Sequence, residues 1–160
     1  MAIYLLALAI GVVAGMRALL APAAVSWAAH LGWLDLHDSW AGFIGNRWVA
    51  YVLGVMAVGE LITDQLPKTP ARVVPVQFAA RIINGTFCGA VVGTAATAFM
   101  PIGGALMGAL GAVLGTRGGY AFRQHFADLH GGIDRPGAFF EDAVAILGAL
   151  TIMRAVGGLE

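Results

Sequence analysis

The stretch GELITDQLPKTPARVVPVQFAAR, residues 59–81, decides how this chain can fold. An apolar run ends there in Glu60 and Asp64, which stand four residues apart and therefore share one helical face. Three prolines follow, at positions 67, 70 and 75, and they predict the end of a helix and a short ordered loop. Since the rest of the chain carries little charge, this segment marks the start of the polar chemistry.

Composition places the chain in a class before any motif does. Hydrophobic residues make up 59%, charged residues 11%, and mean hydropathy is +0.83, whereas soluble domains carry roughly 25% charged residues. The composition therefore predicts an integral membrane protein. Lys and Arg number nine and Asp and Glu also nine, so no basic surface points to a nucleic-acid partner.

The apolar segments predict an all-α membrane helix bundle in a single domain, 1–160. A span of about 20 residues crosses the hydrocarbon core of a bilayer, and five spans are expected, at about 3–29, 48–65, 77–99, 103–123 and 138–156. The first segment contains Arg17 and Pro22 and is longer than one crossing needs. It is either one tilted helix or a helix broken near Pro22.

Glycines recur at four-residue spacing in the third and fourth segments. Gly85, Gly89 and Gly93 form one such series, and Gly104 and Gly108 begin another. Small residues at this spacing let helix backbones approach closely. We expect these glycine faces to pack helices together and to support a homo-oligomer in the lipid bilayer.

The distribution of basic residues predicts the orientation. Basic residues near the second-to-third and fourth-to-fifth connections are Lys68, Arg72, Arg81, Arg123 and Arg135, against Arg47 and Arg154 on the other side. Because cytoplasmic loops carry the excess of Lys and Arg, these two loops are expected to face the cytoplasm. The five-span prediction then puts the N-terminus inside the cell and the C-terminus outside.

This orientation brings the charged residues of the spans to similar depth. Four carboxylates are candidate ion ligands, Glu60, Asp64, Glu141 and Asp142, and three arginines are candidate charge-pairing or substrate-binding residues, Arg17, Arg81 and Arg117. An arginine as deep as Arg17, about 21 Å into its span at 1.5 Å per residue, costs about 2.5 kcal/mol or more unless paired or hydrated. The carboxylates are its natural partners, although Glu141 and Asp142 also suit the first turn of a helix.

Two interpretations of this cluster stay open. In the first, the arginines neutralise the carboxylates and fix the register of the bundle. In the second, the charges line a water-filled cavity in which a cation or an anionic group binds by displacing an internal partner, as intramembrane ionisable residues generally suggest.

An internal symmetry bears on this choice. The pattern G-x-x-x-G-x-R occurs at 11–17 and again at 111–117, with His30 and His130 each thirteen residues after the arginine. In the five-span arrangement the two copies run in opposite directions. They would form inverted two-helix repeats around a central helix, which is a transporter architecture.

A family resemblance rests on the same residues. The pattern E-L-x-x-D-x-x-P-x-T-P-x-R over 60–72 resembles a bacterial family of small multi-pass membrane proteins described as a domain of unknown function. Gly15 with Arg17, Arg81 and the pair Glu141-Asp142 are similar to that family as well, so the similarity covers nearly the whole chain. Gln65 stands where family members often have lysine. The resemblance implies a membrane location and no established activity.

The favoured function is passage of a small ion or polar solute across the cell membrane, with a cation first because carboxylates supply the oxygen ligands of hard cations. No cofactor is expected apart from a bound cation, and an enzyme is less expected than a transporter. One alternative is a membrane enzyme acting on lipid headgroups, with arginines on the phosphate and His125 or His130 moving protons. The other is a non-catalytic membrane assembly partner.

Overall fold

The structure is a computed structural model that describes residues 1–64, 74–96, 100–129 and 135–159. Within these ranges the regular structure is helical throughout, so the all-α prediction is confirmed. The helices are α1 (Ala2–Met16), α2 (Leu20–His30), α3 (Arg47–Thr63), α4 (Pro75–Ala96), α5 (Pro101–Leu129) and α6 (Arg135–Gly157), with a 3₁₀ turn at Gly42–Gly45 between α2 and α3.

The first apolar segment is broken, and the chain reverses direction at the break. Arg17 pairs with Asp142 and Val13 lies beside Gly148, so α6 runs antiparallel to α1. From Asp142 to its end, α6 advances about 22 Å at 1.5 Å per residue, and its last residue, Gly157, packs against the backbone of Trp33 just after α2. The end of α2 therefore lies beside the start of α1, and the two helices form an antiparallel hairpin.

Contacts along the other helices give the same alternation. Gly85 of α4 meets Gly108 of α5, and Gly93 meets Met100, so α4 and α5 are antiparallel. By contrast, α1 and α5 run in the same direction, because Tyr4 lies beside Gly103 and Gly15 beside Thr116. The predicted inverted repeat is therefore wrong. A single span over 3–29 would reverse the direction of every later helix relative to α1.

The two ends of the bundle therefore contain different parts of the chain. The α1–α2 turn, the end of α3 and the beginnings of α4 and α6 lie at one end, which we call the tip end. The start of α1 and the end of α6 lie together at the opposite end. This arrangement differs from the five-span prediction, which separates the termini.

The glycine series form the packing centre of the bundle. A Cβ on Gly85 would lie 2.6 Å from the Cβ of Ala112 and 2.8 Å from the carbonyl oxygen of Gly108. Gly108 in turn touches the backbones of Gly89 and Gly11, so three helices meet at one residue. Such approach is available only to residues without a side chain. These glycine faces thus contact other helices of the same chain, and the expected homo-oligomer stays a prediction.

Helix lengths differ from the predicted spans at two places. α5 continues to Leu129, beyond the expected end at 123, and α6 begins at Arg135 instead of 138.

One helix among the described residues, over Pro75–Ala95, is long and apolar enough to cross a membrane by length and composition, while α1 is apolar but short. This supports membrane association.

Candidate functional site

The break between α1 and α2 is the centre of the site. Arg17 leaves the helical conformation, with φ −137° and ψ 110°, and the backbone N–H groups after it need acceptors. The carboxylate of Glu60, on the last turn of α3, accepts both: Ala18 N donates over 2.7 Å and Leu19 N over 2.8 Å. A carboxylate thus takes the place of an N-cap at the start of α2, where the helix dipole favours negative charge.

The carbonyl groups at the end of α1 are satisfied by side chains of α4. Nη1 of Arg81 donates to the carbonyl oxygens of Gly15, at 2.9 Å, and Met16, at 2.8 Å. Nδ2 of Asn84, one turn further along α4, donates to the carbonyl oxygen of Ala18 over 2.9 Å. Since a cation is favourable at a helix C-terminus, Arg81 suits the end of α1 as Glu60 suits the start of α2.

α5 provides one further donor to the break. Oγ1 of Thr116 lies 3.1 Å from the carbonyl oxygen of Gly15 and 2.8 Å from that of Ala112 in its own helix. The side chain is fully buried between α1 and α5. The irregular backbone at the hairpin turn is therefore held from α3, α4 and α5.

The guanidinium of Arg17 points into the same region and is 0% exposed. Its Nε and Nη2 both lie 2.5 Å from Oδ1 of Asp142. Its Nη1 pairs with Asp64, and Nη2 is 3.8 Å from Oε2 of Glu141. Carboxylates from α3 and α6 thus surround one buried cation, as a buried charge requires.

Arg123, and not Arg117, is the α5 arginine in this cluster. Nη1 of Arg123 is 3.0 Å from Oδ2 of Asp64, whereas Arg117 is exposed and forms no ion pair among the described residues. Helix geometry explains the correction. Position 123 is seven residues, about two turns, after Thr116 and shares its inward face, while position 117 is rotated by about 100°.

Glu141 and Asp142 lie well inside α6. Because α6 begins at Arg135, these residues occupy its seventh and eighth positions and do not cap its first turn. Both are buried, Glu141 with 2% and Asp142 with 7% of its surface exposed. The capping explanation of this pair therefore does not apply.

The cluster holds one more carboxylate than arginine. Its described members are Glu60, Asp64, Glu141 and Asp142 on one side and Arg17, Arg81 and Arg123 on the other. Within the described ranges no three His, Cys, Asp or Glu residues are grouped so that they could hold a metal ion. In this structure the carboxylates form ion pairs with the guanidinium of Arg17.

Three members of the site, Asn84, Thr116 and Arg123, are not among the residues predicted from the sequence. Their spacing along the helices is the pattern that indicates them. Asn84 follows Arg81 by three residues and shares its face, and Arg123 follows Thr116 by seven. His125 is exposed on α5, and Gln65 to Arg72 of the motif, together with His130, lie outside the described residues.

Comparison with known proteins gives a family and nothing closer. No curated protein and no solved structure matches the chain significantly. A family model described as "Domain of unknown function (DUF4126)" matches residues 4–155. The match covers the hairpin, the glycine core and every described residue of the charged cluster, so the chain belongs to the DUF4126 family, as the sequence resemblance implied.

Proposed function

We propose that this protein crosses the membrane several times and passes a small ion, with a cation favoured, through the charged cluster at the tip end. Membrane embedding is supported by the outer surface of the helices. Large apolar side chains are exposed along α3 to α6, among them Val55, Val76, Ile83, Leu106, Leu110, Leu114 and Leu147. Soluble monomers rarely expose so much apolar surface, whereas lipid covers it at no cost.

The hairpin supports a re-entrant arrangement. α1 has 15 residues and α2 has 11, and both are shorter than the roughly 20 residues a crossing needs. Irregular backbone at membrane depth is tolerated where protein buries it or where it lines a water-filled cavity. A hairpin that enters from one face and turns at Arg17 inside the bundle meets this condition.

The positive-inside bias then orients the molecule. Arg81 and Arg123 lie towards the tip end, with Lys68 and Arg72 in the adjoining connection, while Arg47 and Arg154 lie towards the other end. The proposed orientation puts the tip end at the cytoplasm. Both termini then lie outside, which changes the sequence prediction for the N-terminus alone.

The observation that carries the proposed activity is the buried guanidinium of Arg17 between carboxylates of α3 and α6. An entering cation that binds the carboxylate oxygens of Asp64 and Asp142 replaces the charge of the guanidinium as Arg17 swings away. Carboxylates are ligands that hard cations prefer, so a cation is the favoured occupant. Arg17 is then a tethered internal cation that closes the path when no ion is bound.

The two alternatives receive less support from the geometry. A lipid-headgroup enzyme needs arginines that reach a phosphate, but Arg17 is fully buried and Arg81 is 4% exposed. A non-catalytic assembly partner accounts for the ion pairs as architecture. It predicts no ion flux at all, so the same experiment separates it from transport.

The test is ion flux in proteoliposomes that contain the full chain, with Na⁺, K⁺, H⁺ and Mg²⁺ supplied in turn. Asp142→Asn should abolish the flux, because it removes a negative charge that both binds the cation and holds Arg17. Asp128→Asn, which changes an exposed carboxylate of α5, should leave it unchanged. Equal flux through folded Asp142→Asn and native protein would remove the proposed path, and phospholipid turnover without flux would favour the enzyme.

A further inference from the structure

One arginine lies on the outer face of α5, among apolar side chains. Arg117 is exposed and forms no ion pair within the described ranges. Exposed leucines precede it at helical spacing on the same face, Leu106, Leu110 and Leu114. α5 meets α4 at Gly108, and the nine residues from Gly108 to Arg117 turn the helix by about 180°. Arg117 therefore points away from the bundle.

The level of Arg117 along the bundle follows from the contact of α4 with α5. Gly85 of α4 contacts Ala112 of α5, and the two helices are antiparallel. Towards the tip end, α4 extends from Gly85 to Pro75 over about 15 Å, whereas Arg117 lies only about 7.5 Å beyond Ala112. Because α4 is long and apolar enough to cross a membrane, Arg117 lies about 7.5 Å inside the tip-end border of that span.

A charged side chain at this place needs a partner from outside the described chain. Arginines near the end of a membrane span extend along apolar surface until the guanidinium reaches the lipid headgroups. There the guanidinium can form two parallel hydrogen bonds with a phosphate. A phospholipid satisfies both parts of this face, since its acyl chains cover the leucines and its phosphate lies at the membrane border.

We propose that Arg117 binds the phosphate of an anionic phospholipid at the tip-end border of the membrane. Anionic lipids of the cytoplasmic leaflet attract basic side chains, and the tip end is the end assigned to the cytoplasm. This site rests on the membrane embedding proposed above and not on the passage of an ion. It binds lipid without turnover, because the cluster contacts Arg123, which is rotated by about 120° from Arg117.

The test measures which lipids lie against the outer face of α5. The full chain with Cys88→Ala and Leu114→Cys is labelled with bimane, one turn from Arg117, and placed in phosphatidylcholine vesicles. Brominated phosphatidylglycerol or brominated phosphatidylcholine is then added as the quencher. Brominated chains quench bimane on contact, so the two quenching constants give the local lipid preference. We expect phosphatidylglycerol to be preferred about fivefold, the contribution of one basic side chain near a membrane surface.

Two substitutions and one control label assign this preference to the side chain. Arg117→Gln should reduce it to about one, whereas Arg117→Lys keeps the charge and should retain most of it. The control label is placed by Val55→Cys, since Val55 is also exposed but lies on α3, which packs against α2. Arg117→Gln should leave the quenching of that label unchanged.

Equal quenching by the two lipids at position 114, with Arg117 present, would overturn the lipid site and leave the membrane embedding intact. A preference that persists in Arg117→Gln would also overturn the site. If neither lipid quenches the label, both the site and the embedding of this face are wrong. Because Arg117 lies outside the cluster, cation flux should be equal in Arg117→Gln and the native protein, and absence of flux in both counts against the ion path alone.

Discussion

Segments 11–17 and 111–117 carry the same G-x-x-x-G-x-R pattern and lie side by side, yet their arginines have opposite environments. Arg17 is fully buried among carboxylates, and Arg117 is exposed. α1 ends after Met16, whereas α5 continues for twelve residues beyond Arg117, to Leu129. The glycines of the two segments, by contrast, serve one purpose, because both pairs bring α1 and α5 into backbone contact.

This difference shows that a local sequence pattern determines how helices pack more reliably than it determines whether a charged side chain is buried or exposed. The glycine spacing needs only another helix nearby. The break at Arg17 needs acceptors and donors for the freed backbone, which Glu60, Arg81 and Asn84 supply. The helix stays intact at Arg117, so its backbone needs no such partners.

The largest expected effect on stability comes from replacing Arg17, and Arg117 provides the comparison. Arg17→Gln leaves Asp64 and Asp142 buried beside an uncharged side chain, and we expect a loss of about 3–5 kcal/mol in the free energy of unfolding. Arg117→Gln should change it by less than about 0.5 kcal/mol, as exposed substitutions do. Unfolding in mixed micelles, followed by circular dichroism, measures both. Similar losses for the two variants would mean that the contrast between the segments is wrong.

The glycines should behave alike where the arginines differ. A Cβ on Gly15 would lie 2.6 Å from the backbone nitrogen of Thr116, and one on Gly115 would lie 2.9 Å from the carbonyl carbon of Val12. Gly15→Ala and Gly115→Ala should each destabilise the protein by about 1–3 kcal/mol, since backbone must move to relieve the overlap.

Gly118→Ala is the control for this pair, because an added Cβ there meets open space. The free energy of unfolding should stay the same or rise by up to about 1 kcal/mol, because alanine favours the helix over glycine. The same unfolding measurement serves all three variants. A neutral result for either Gly15→Ala or Gly115→Ala would argue against the close contact of α1 and α5.

A smaller effect should identify which arginine of α5 belongs to the cluster. Arg123→Gln breaks a 3.0 Å ion pair with Asp64 at a site where the arginine side chain is 17% exposed, and we expect a loss of about 1 kcal/mol. A double-mutant cycle with Asp64→Asn should show coupling of at least about 0.5 kcal/mol. The cycle of Asp64→Asn with Arg117→Gln should show none.

The smallest effect concerns the hydroxyl that joins α5 to the break. Thr116→Val removes the contact with the carbonyl oxygen of Gly15 and should cost about 0.6 kcal/mol, the average for hydrogen bonds between membrane helices. Thr151→Val is matched, because Thr151 is exposed and bonds within its own helix, to Leu147. Equal changes for the two variants would show that the contact across helices contributes nothing measurable.

Much of the site was accessible from the sequence. Composition and the cost of burying charge were enough to select Arg17, Glu60, Asp64, Arg81, Glu141 and Asp142, which do lie together. Their role in ion binding stays a prediction. The sequence predicts a loop at Arg123 because the apolar signal of α5 fades before the helix ends, and it favours Arg117 because that residue lies within the apolar signal.

The sequence by itself determined the helical class, the glycine-based packing and the set of charges that must find partners, because composition and spacing act locally. Only the tertiary structure decided that the chain reverses at Arg17. The groups that stabilise this turn are distant in sequence: Glu60 is 42 residues from the N–H of Ala18, and Asp142 is 125 residues from Arg17. A run of apolar residues has the same composition whether the helix continues or the chain reverses direction. The direction of every later helix therefore depends on those distant contacts.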